Sequence, residues 1–179
     1  MGAQKTPHDS RSVMSEVTLP NDTNPYGTMF GGRLMSLMDK CAAISAMRHT
    51  ELVCVTVAID SVEFASPIYL GELVVIEAWV NRVFNSSLEV EVMVEAENIF
   101  KKKRRLCNHA FFTFVAVNDQ GEPTAVEPVY PQTDLEKQRY EKAALRRELR
   151  LYMKGRISLE EAVHLQDDLI AEISKTDLQ

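Results

Sequence analysis

One apolar helix has to cover a whole β-sheet in this chain, and few folds allow that. Leu34, Leu37, Met38, Cys41, Ile44 and Met47 recur at helical spacing, which predicts a helix over about residues 32–49. The other strong patterns before residue 120 are extended. Residues 12–19 and 73–84 alternate apolar with polar, as do residues 88–97, whose second face is largely acidic and is expected to be wet. Residues 52–64 are β-branched and apolar on both faces, which predicts a long strand that begins buried. Residues 106–117, with Phe111, Phe112 and Phe114, read as a covered central strand. Turn-forming residues keep the links among the last four strands short, so successive strands must pair antiparallel. A sheet of about five strands with one helix to cover it should curl around that helix. The expected class is α+β, a long central helix wrapped by a curved antiparallel sheet.

Composition excludes several function classes. The chain has 179 residues, 45% of them hydrophobic, enough for one domain with a sizeable core. A net charge of −6 argues against a general nucleic-acid surface. Residues 1–10 are polar and expected to be disordered, with no apolar leader, and no window approaches a membrane span. Cys41, Cys54 and Cys107 are odd in number and sit in apolar stretches, so they read as reduced thiols in a cytoplasmic protein. Neither they nor the four histidines have metal-ligand spacing, and no metal is expected. His49, at the end of the long helix, reads as a partner for the helix dipole. Capping boxes pair Thr133 with Glu136 and Ser158 with Glu161, predicting helices over about 133–153 and 158–173 in a C-terminal extension, residues 133–179. The first is basic and the second acidic; the two suit docking on each other or on a neighbouring subunit, and equally suit a solvated tail.

Asp39 is the odd member of the long helix. Its neighbours three and four residues away are Met35, Ser36, Ala42 and Ala43, with no basic residue among them. Two readings stand. Covered, this carboxylate would lose solvation without gaining a partner in its own helix, which raises its pKa and makes it a usable base; uncovered, it points to water. Gly31 and Gly32 open the helix. Lacking Cβ atoms, they let a ligand approach backbone N–H groups with no intrahelical partner, which suits a carbonyl oxygen gaining negative charge. A tight entry turn would use the same pair.

These residues carry a resemblance. Asn24, Gly27, Phe30, Gly31 and Gly32, then Leu37-Met38-Asp39, residues 55–60, Phe64 with Pro67, Ile68 and Gly71, residues 86–90 and residues 112–116 together resemble the acyl-CoA hydrolase family of hotdog-fold thioesterases. The match covers about residues 12–132, in order and at family spacing, and makes residues 11–132 a hotdog acyl-CoA thioesterase domain. The tail resembles that of single-hotdog bacterial members. The resemblance implies hydrolysis of acyl-CoA to CoA and a carboxylic acid. It places the family's Asn on Asn24 and its Asp on Asp39, brought together across a dimer interface, and implies hexamers built as trimers of dimers. One departure is Phe30, where many relatives carry His or Asn; it bears on acyl-chain preference, not on chemistry.

Within that reading Asp39 is general base or direct nucleophile, and Asn24 orients water or polarises the carbonyl. The N–H groups around Gly31 and Gly32 are further donors. Thr56 either lines the acyl tunnel or packs in the core. CoA is part of the substrate, so no cofactor is expected. Its phosphates call for cations, and Lys101, Lys102, Lys103, Arg104 and Arg105 form the strongest basic run, which a solvated hairpin tip would also explain. Ser86 and Ser87 fall where the resemblance places contacts to CoA, and a Ser pair in a turn has an ordinary structural use too. Two rival functions remain: a hotdog dehydratase, which needs a His beside a carboxylate, and a non-hydrolytic acyl-CoA-binding regulator, which needs a DNA-binding segment.

Overall fold

The computed structural model describes residues 4–176, with side chains as far as residue 169 apart from residue 61. Residues 1–3 and 177–179, the outermost parts of the expected disordered N-terminus and helical extension, lie outside the described residues. The chain divides into two units, Met1–Tyr130 and Pro131–Gln179.

In the first unit a five-stranded antiparallel sheet holds one long helix. The strands are β1 (Ser12–Val17), β2 (Val53–Phe64), β3 (Leu73–Val83), β4 (Ser87–Asn98) and β5 (Lys103–Val117), in the order β1-β3-β4-β5-β2. The helix is α2 (Gly31–Thr50), close to the expected span, and a short α1 (Pro7–Ser10) precedes β1. Leu37, Met38, Cys41 and Ala42 on α2 are at most 2% exposed. They face alternate residues of the sheet that are buried without remainder: Val74 and Val80 of β3, Val90, Val92 and Val94 of β4, Phe112 and Phe114 of β5. Burying a side chain of that size contributes about 1.5–3 kcal/mol, so this seam is what holds the unit together.

Four expectations need correction. Residues 4–10 are ordered: Lys5 donates to the last carbonyls of α2 through His49 O at 2.7 Å and pairs with Glu51, while Thr6 and Asp9 close a capping box at α1. The acidic face of β4 is wet only in its second half, at the half-exposed Glu95 and Glu97. Glu89 and Glu91 are 2% and 4% exposed and each accepts from Asn81 Nδ2 at 3.0 Å. β2 is an edge strand, not a buried one, with Val53 and Val57 62% and 53% exposed; the hydrophobicity that suggested burial has no cover within the unit. His49 is no cation at a helix end. It is buried and donates from Nε2 to Glu127 O at 2.9 Å, and loss of solvation lowers its pKa.

The second unit is a helical pair, α3 (Asp134–Met153) and α4 (Val163–Thr176). The Thr133–Glu136 box caps α3 as expected. The Ser158–Glu161 box closes a turn instead, and α4 starts beyond it. There the Glu148 carboxylate of α3 accepts from Leu165 N at 3.0 Å and bonds His164 Nδ1 at 2.6 Å, doing at the start of α4 what a capping side chain does. Among the described residues no helix is long and apolar enough to cross a membrane.

Because folded His49 resists protonation, the unfolded chain binds more protons once pH falls below its ordinary value of about 6.5. Stability should therefore decline as pH drops through that value, and His49→Gln should flatten the decline. Urea unfolding at a series of pH values measures both slopes.

Candidate active site

Asp39 projects half-buried from α2 towards β2, and its Oδ1 accepts a 2.7 Å hydrogen bond from Thr56 Oγ1. Thr56 faces the helix because it pairs with Phe114, a core residue of β5. A β-bulge follows between Thr56 and Ala58, where the register shifts. Thr56 is exposed and so is not core filling, and its hydroxyl holds the carboxylate. Sequence reasoning missed that role, since nothing in the spacing of the two residues reveals a contact between a helix and the strand after it. Asp39 Oδ2 has no hydrogen-bond partner among the described residues and stays available to a reactant.

Asn24 sits in the loop before α2. Gly27 N donates to Asn24 O at 2.9 Å, and Gly27 has φ +71°, a conformation glycine adopts freely. Asn24 Oδ1 accepts from Tyr26 N and Thr28 N, while Asn24 Nδ2 donates to Thr28 Oγ1 at 2.9 Å. The loop is anchored twice. Arg33, from the first turn of α2, donates to Asp22 Oδ1 at 2.7 Å and to Glu16, and the Arg33 bond holds the Asp22 carboxyl below the usual carboxylate range. On the other side Thr28 bridges Tyr69, with Met29 N donating to Ile68 O and Leu70 N to Gly27 O.

Gly31 and Gly32 begin α2, and no side chain caps it. A Cβ on Gly31 would meet the Phe64 ring at 3.2 Å, whereas one on Gly32 would meet nothing within 4 Å. Beside this helix start lies a cleft of about 270 Å³, floored by Met29, Leu34, Phe64 and Ile68 and edged by Thr28 and Asn108. Asn108 was not singled out by its sequence position; its Nδ2 donates to Glu63 O at 2.6 Å.

The structure brings Asp39 to Thr56 but not to Asn24. Gly31 and Asp39 stand roughly 12 Å apart along α2 at about 1.5 Å of rise per residue. A carbonyl held at the N–H groups of the helix start is out of direct reach of Asp39 in the same chain. The residues assigned to CoA are parted as well. Ser86 and Ser87 lie at one end of β4 and the basic run at the other, over 30 Å away at about 3.3 Å per residue. Nor is the run one cluster: Lys103, Arg104 and Arg105 belong to β5, Arg104 pairs with Glu95, and Arg105 pairs with Glu72.

Other nucleophiles and bases lie elsewhere. Burial pushes the Cys41 thiol up to about 11, and desolvation raises Cys54 and Cys107 as well, so none is a ready thiolate. His109 does meet a carboxylate, Glu91 at 2.7 Å, but alternation along β4 and β5 puts that pair on the sheet face opposite α2. The dehydratase pairing is therefore not at Asp39.

Comparison with known proteins gives the lineage. The Thioesterase superfamily model matches residues 26–100. The protein of Bacillus subtilis (strain 168) described as uncharacterized acyl-CoA thioester hydrolase YkhA is 41% identical over 128 residues, 72% of this chain and 74% of the relative. The chain belongs to the acyl-CoA hydrolase family of hotdog-fold thioesterases. The acyl-CoA hydrolase from Staphylococcus aureus, determined in complex with butyryl coenzyme A, coenzyme A and coenzyme A disulfide, is similar over 97% of this chain and 99% of its own, at TM-score 0.78 and 35% identity. An apo-hexameric acyl-CoA thioesterase matches 85% of this chain and 98% of its own, at TM-score 0.82 and 38% identity.

Proposed function

We propose that this protein hydrolyses acyl-CoA thioesters to CoA and a carboxylic acid, without a resident cofactor or metal. The observation that carries the reading is the Asp39 carboxylate held by Thr56 at 2.7 Å, in a chain similar over 97% of its length to an acyl-CoA hydrolase that binds butyryl coenzyme A. With Oδ1 held, Oδ2 takes a proton from water attacking the thioester carbon, or attacks that carbon itself to give a transient anhydride; both routes release CoA as its thiol. The carbonyl oxygen gains negative charge in either case. Uncapped N–H groups at Gly31 and Gly32, with the helix dipole behind them, suit that charge, and Asn24, in the loop leading into the helix, has a second amide N–H besides the one given to Thr28.

The centre is built from two chains. β2 has an unpaired edge and exposed apolar residues, which suits pairing with β2 of a second copy. Antiparallel pairing centred on Asp60 sets Thr56 of one subunit opposite Phe64 of the partner subunit, and so turns Asp39 towards the partner's helix start and the loop that leads into it. The 12 Å separation then becomes the reason for dimerisation, and the dimers assemble into hexamers like that of the structural relative. The same exchange of ends offers one CoA the Ser86 and Ser87 of one subunit and the lysines of its partner. Lys101, Lys102 and Lys103 are the members of the basic run that take its phosphates. Three unpaired thiols favour the cytosol as the site of action.

Thiol release from a panel of acyl-CoA esters tests the activity. Asp39→Asn should keep fold and assembly and lose about 10²–10⁴-fold in turnover, the usual cost of removing a general base. Thr56→Val should lose about tenfold, near the lower end for one hydrogen bond to a charged group. Near wild-type turnover in assembled Asp39→Asn would remove it from the chemistry. Replacing Lys101, Lys102 and Lys103 by Gln should raise KM for acyl-CoA and leave kcat little changed, because such contacts hold ground and transition states alike. An unaltered KM would place the phosphates elsewhere.

A further inference from the structure

Arg105 closes the basic run in sequence but leaves it in space. Its guanidinium turns from the β4–β5 connection to the segment before β3. Nη1 donates to Glu72 Oε1 at 2.8 Å and Nη2 to Glu72 Oε2 at 2.7 Å, a two-pronged pair, and Nη2 also donates to Pro67 O at 2.5 Å. The guanidinium carbon lies 5.6 Å from the centre of the Tyr69 ring. Glu72 is 6% exposed, and its Oε2 also accepts from Tyr69 N at 2.9 Å. One cation thus fixes residues 67–72 by two side-chain bonds, one carbonyl and a ring face.

That segment supports the loop carrying Asn24. Thr28 bridges Tyr69, Met29 N donates to Ile68 O at 2.8 Å, and Leu70 N donates to Gly27 O at 3.0 Å. Thr28 in turn holds the Asn24 side chain at both ends, through its N–H and its hydroxyl. We infer that Arg105 and Glu72 are positioning residues for Asn24: they set the place of its carboxamide through residues 67–72 and touch no part of the substrate.

The chemistry of the pair suits that role. A planar guanidinium bound by two parallel bonds to a carboxylate fixes direction as well as distance, which an ammonium cannot do. Removing Arg105 leaves the covered Glu72 carboxylate uncompensated, so the segment must shift to solvate it, and removing Glu72 takes away the acceptor that aims the guanidinium and holds Tyr69 N. A displacement of about 1 Å in a reacting constellation can cost on the order of 10²-fold in rate. Arg105 is also too occupied to serve as a phosphate ligand without giving up Glu72.

The inference rests on the reading of Asn24 as an acting group, and the test separates the two. Arg105→Ala, Glu72→Ala and the double variant are assayed with acyl-CoA and with a short acyl thioester that lacks the nucleotide. Each single change should lower kcat by about ten- to a hundredfold on both substrates, with KM for acyl-CoA nearly unmoved. The double variant should be no worse than the singles, as expected for two residues acting as one unit. Hydrogen exchange at the Met29 and Leu70 amides should speed up in every variant, whether or not the protein hydrolyses anything. Should Arg105→Ala fail to fold, Arg105→Lys keeps the charge and loses the two-pronged geometry, and it should show the same kcat loss.

Three results overturn the inference. A raised KM for acyl-CoA with unaltered kcat, and no effect on the nucleotide-free thioester, makes Arg105 a phosphate ligand. Unaltered kinetics with a lowered melting temperature makes the pair a stability device only. Met29 and Leu70 amides that stay protected mean the pair does not hold the loop. Absence of hydrolysis by the wild-type protein would instead defeat the proposed function, and leave the exchange measurement to decide the positioning.

Discussion

The burial of one face of α2 in the curl of the sheet governs this molecule. Leu37, Met38, Cys41 and Ala42 must meet β3, β4 and β5, and that fixes the rotation of the helix about its axis. Asp39, which follows Met38 directly, is then forced out of the core towards the edge strand β2, within reach of Thr56. The same rotation leaves Gly31 at the far end of the helix, against Phe64 at the other end of β2. The groups that chemistry would want together are held apart by the packing that makes the fold stable. On the proposed reading, a second copy paired along β2 brings unlike ends together, and the edge that is a liability in one chain completes the site.

Much of this was legible in the sequence because it follows from periodicity. The apolar spacing from Leu34 to Met47 marked α2, and the alternation of β3 and β4 marked two strands and their core faces. Thr133 and Glu136 announced α3 because a capping box is a local device. What failed was non-local. Residues 53–59 carry the composition of a buried strand, yet their cover is not in the same chain's first unit, so no single-chain reading could place them. Glu89 and Glu91 looked solvated because Asn81, which binds both, sits on the neighbouring strand.

The site divides in the same way. Asp39 stood out against apolar neighbours and the glycine pair against the helix start, both within a few residues. The bond from Thr56 to Asp39 did not, since it joins a helix to the strand after it with no local signature. The basic run was the most misleading feature: five cations in a row suggested one surface, while the geometry spends Arg104 on Glu95 and Arg105 on Glu72. Charge counts in a sequence give no account of which guanidinium groups are already committed.

The central claim is that Asp39 of one subunit works with Asn24 of another. Mixing tests it most directly. Asn24→Ala and Asp39→Ala proteins, each inactive alone, are unfolded together, reassembled, and assayed for thiol release, with subunit exchange followed by mass. The shared-site account predicts that part of the wild-type activity returns, because each mixed dimer holds one intact Asn24–Asp39 pair. Complete exchange with no recovery of activity would contradict it and place both residues in a single chain's site.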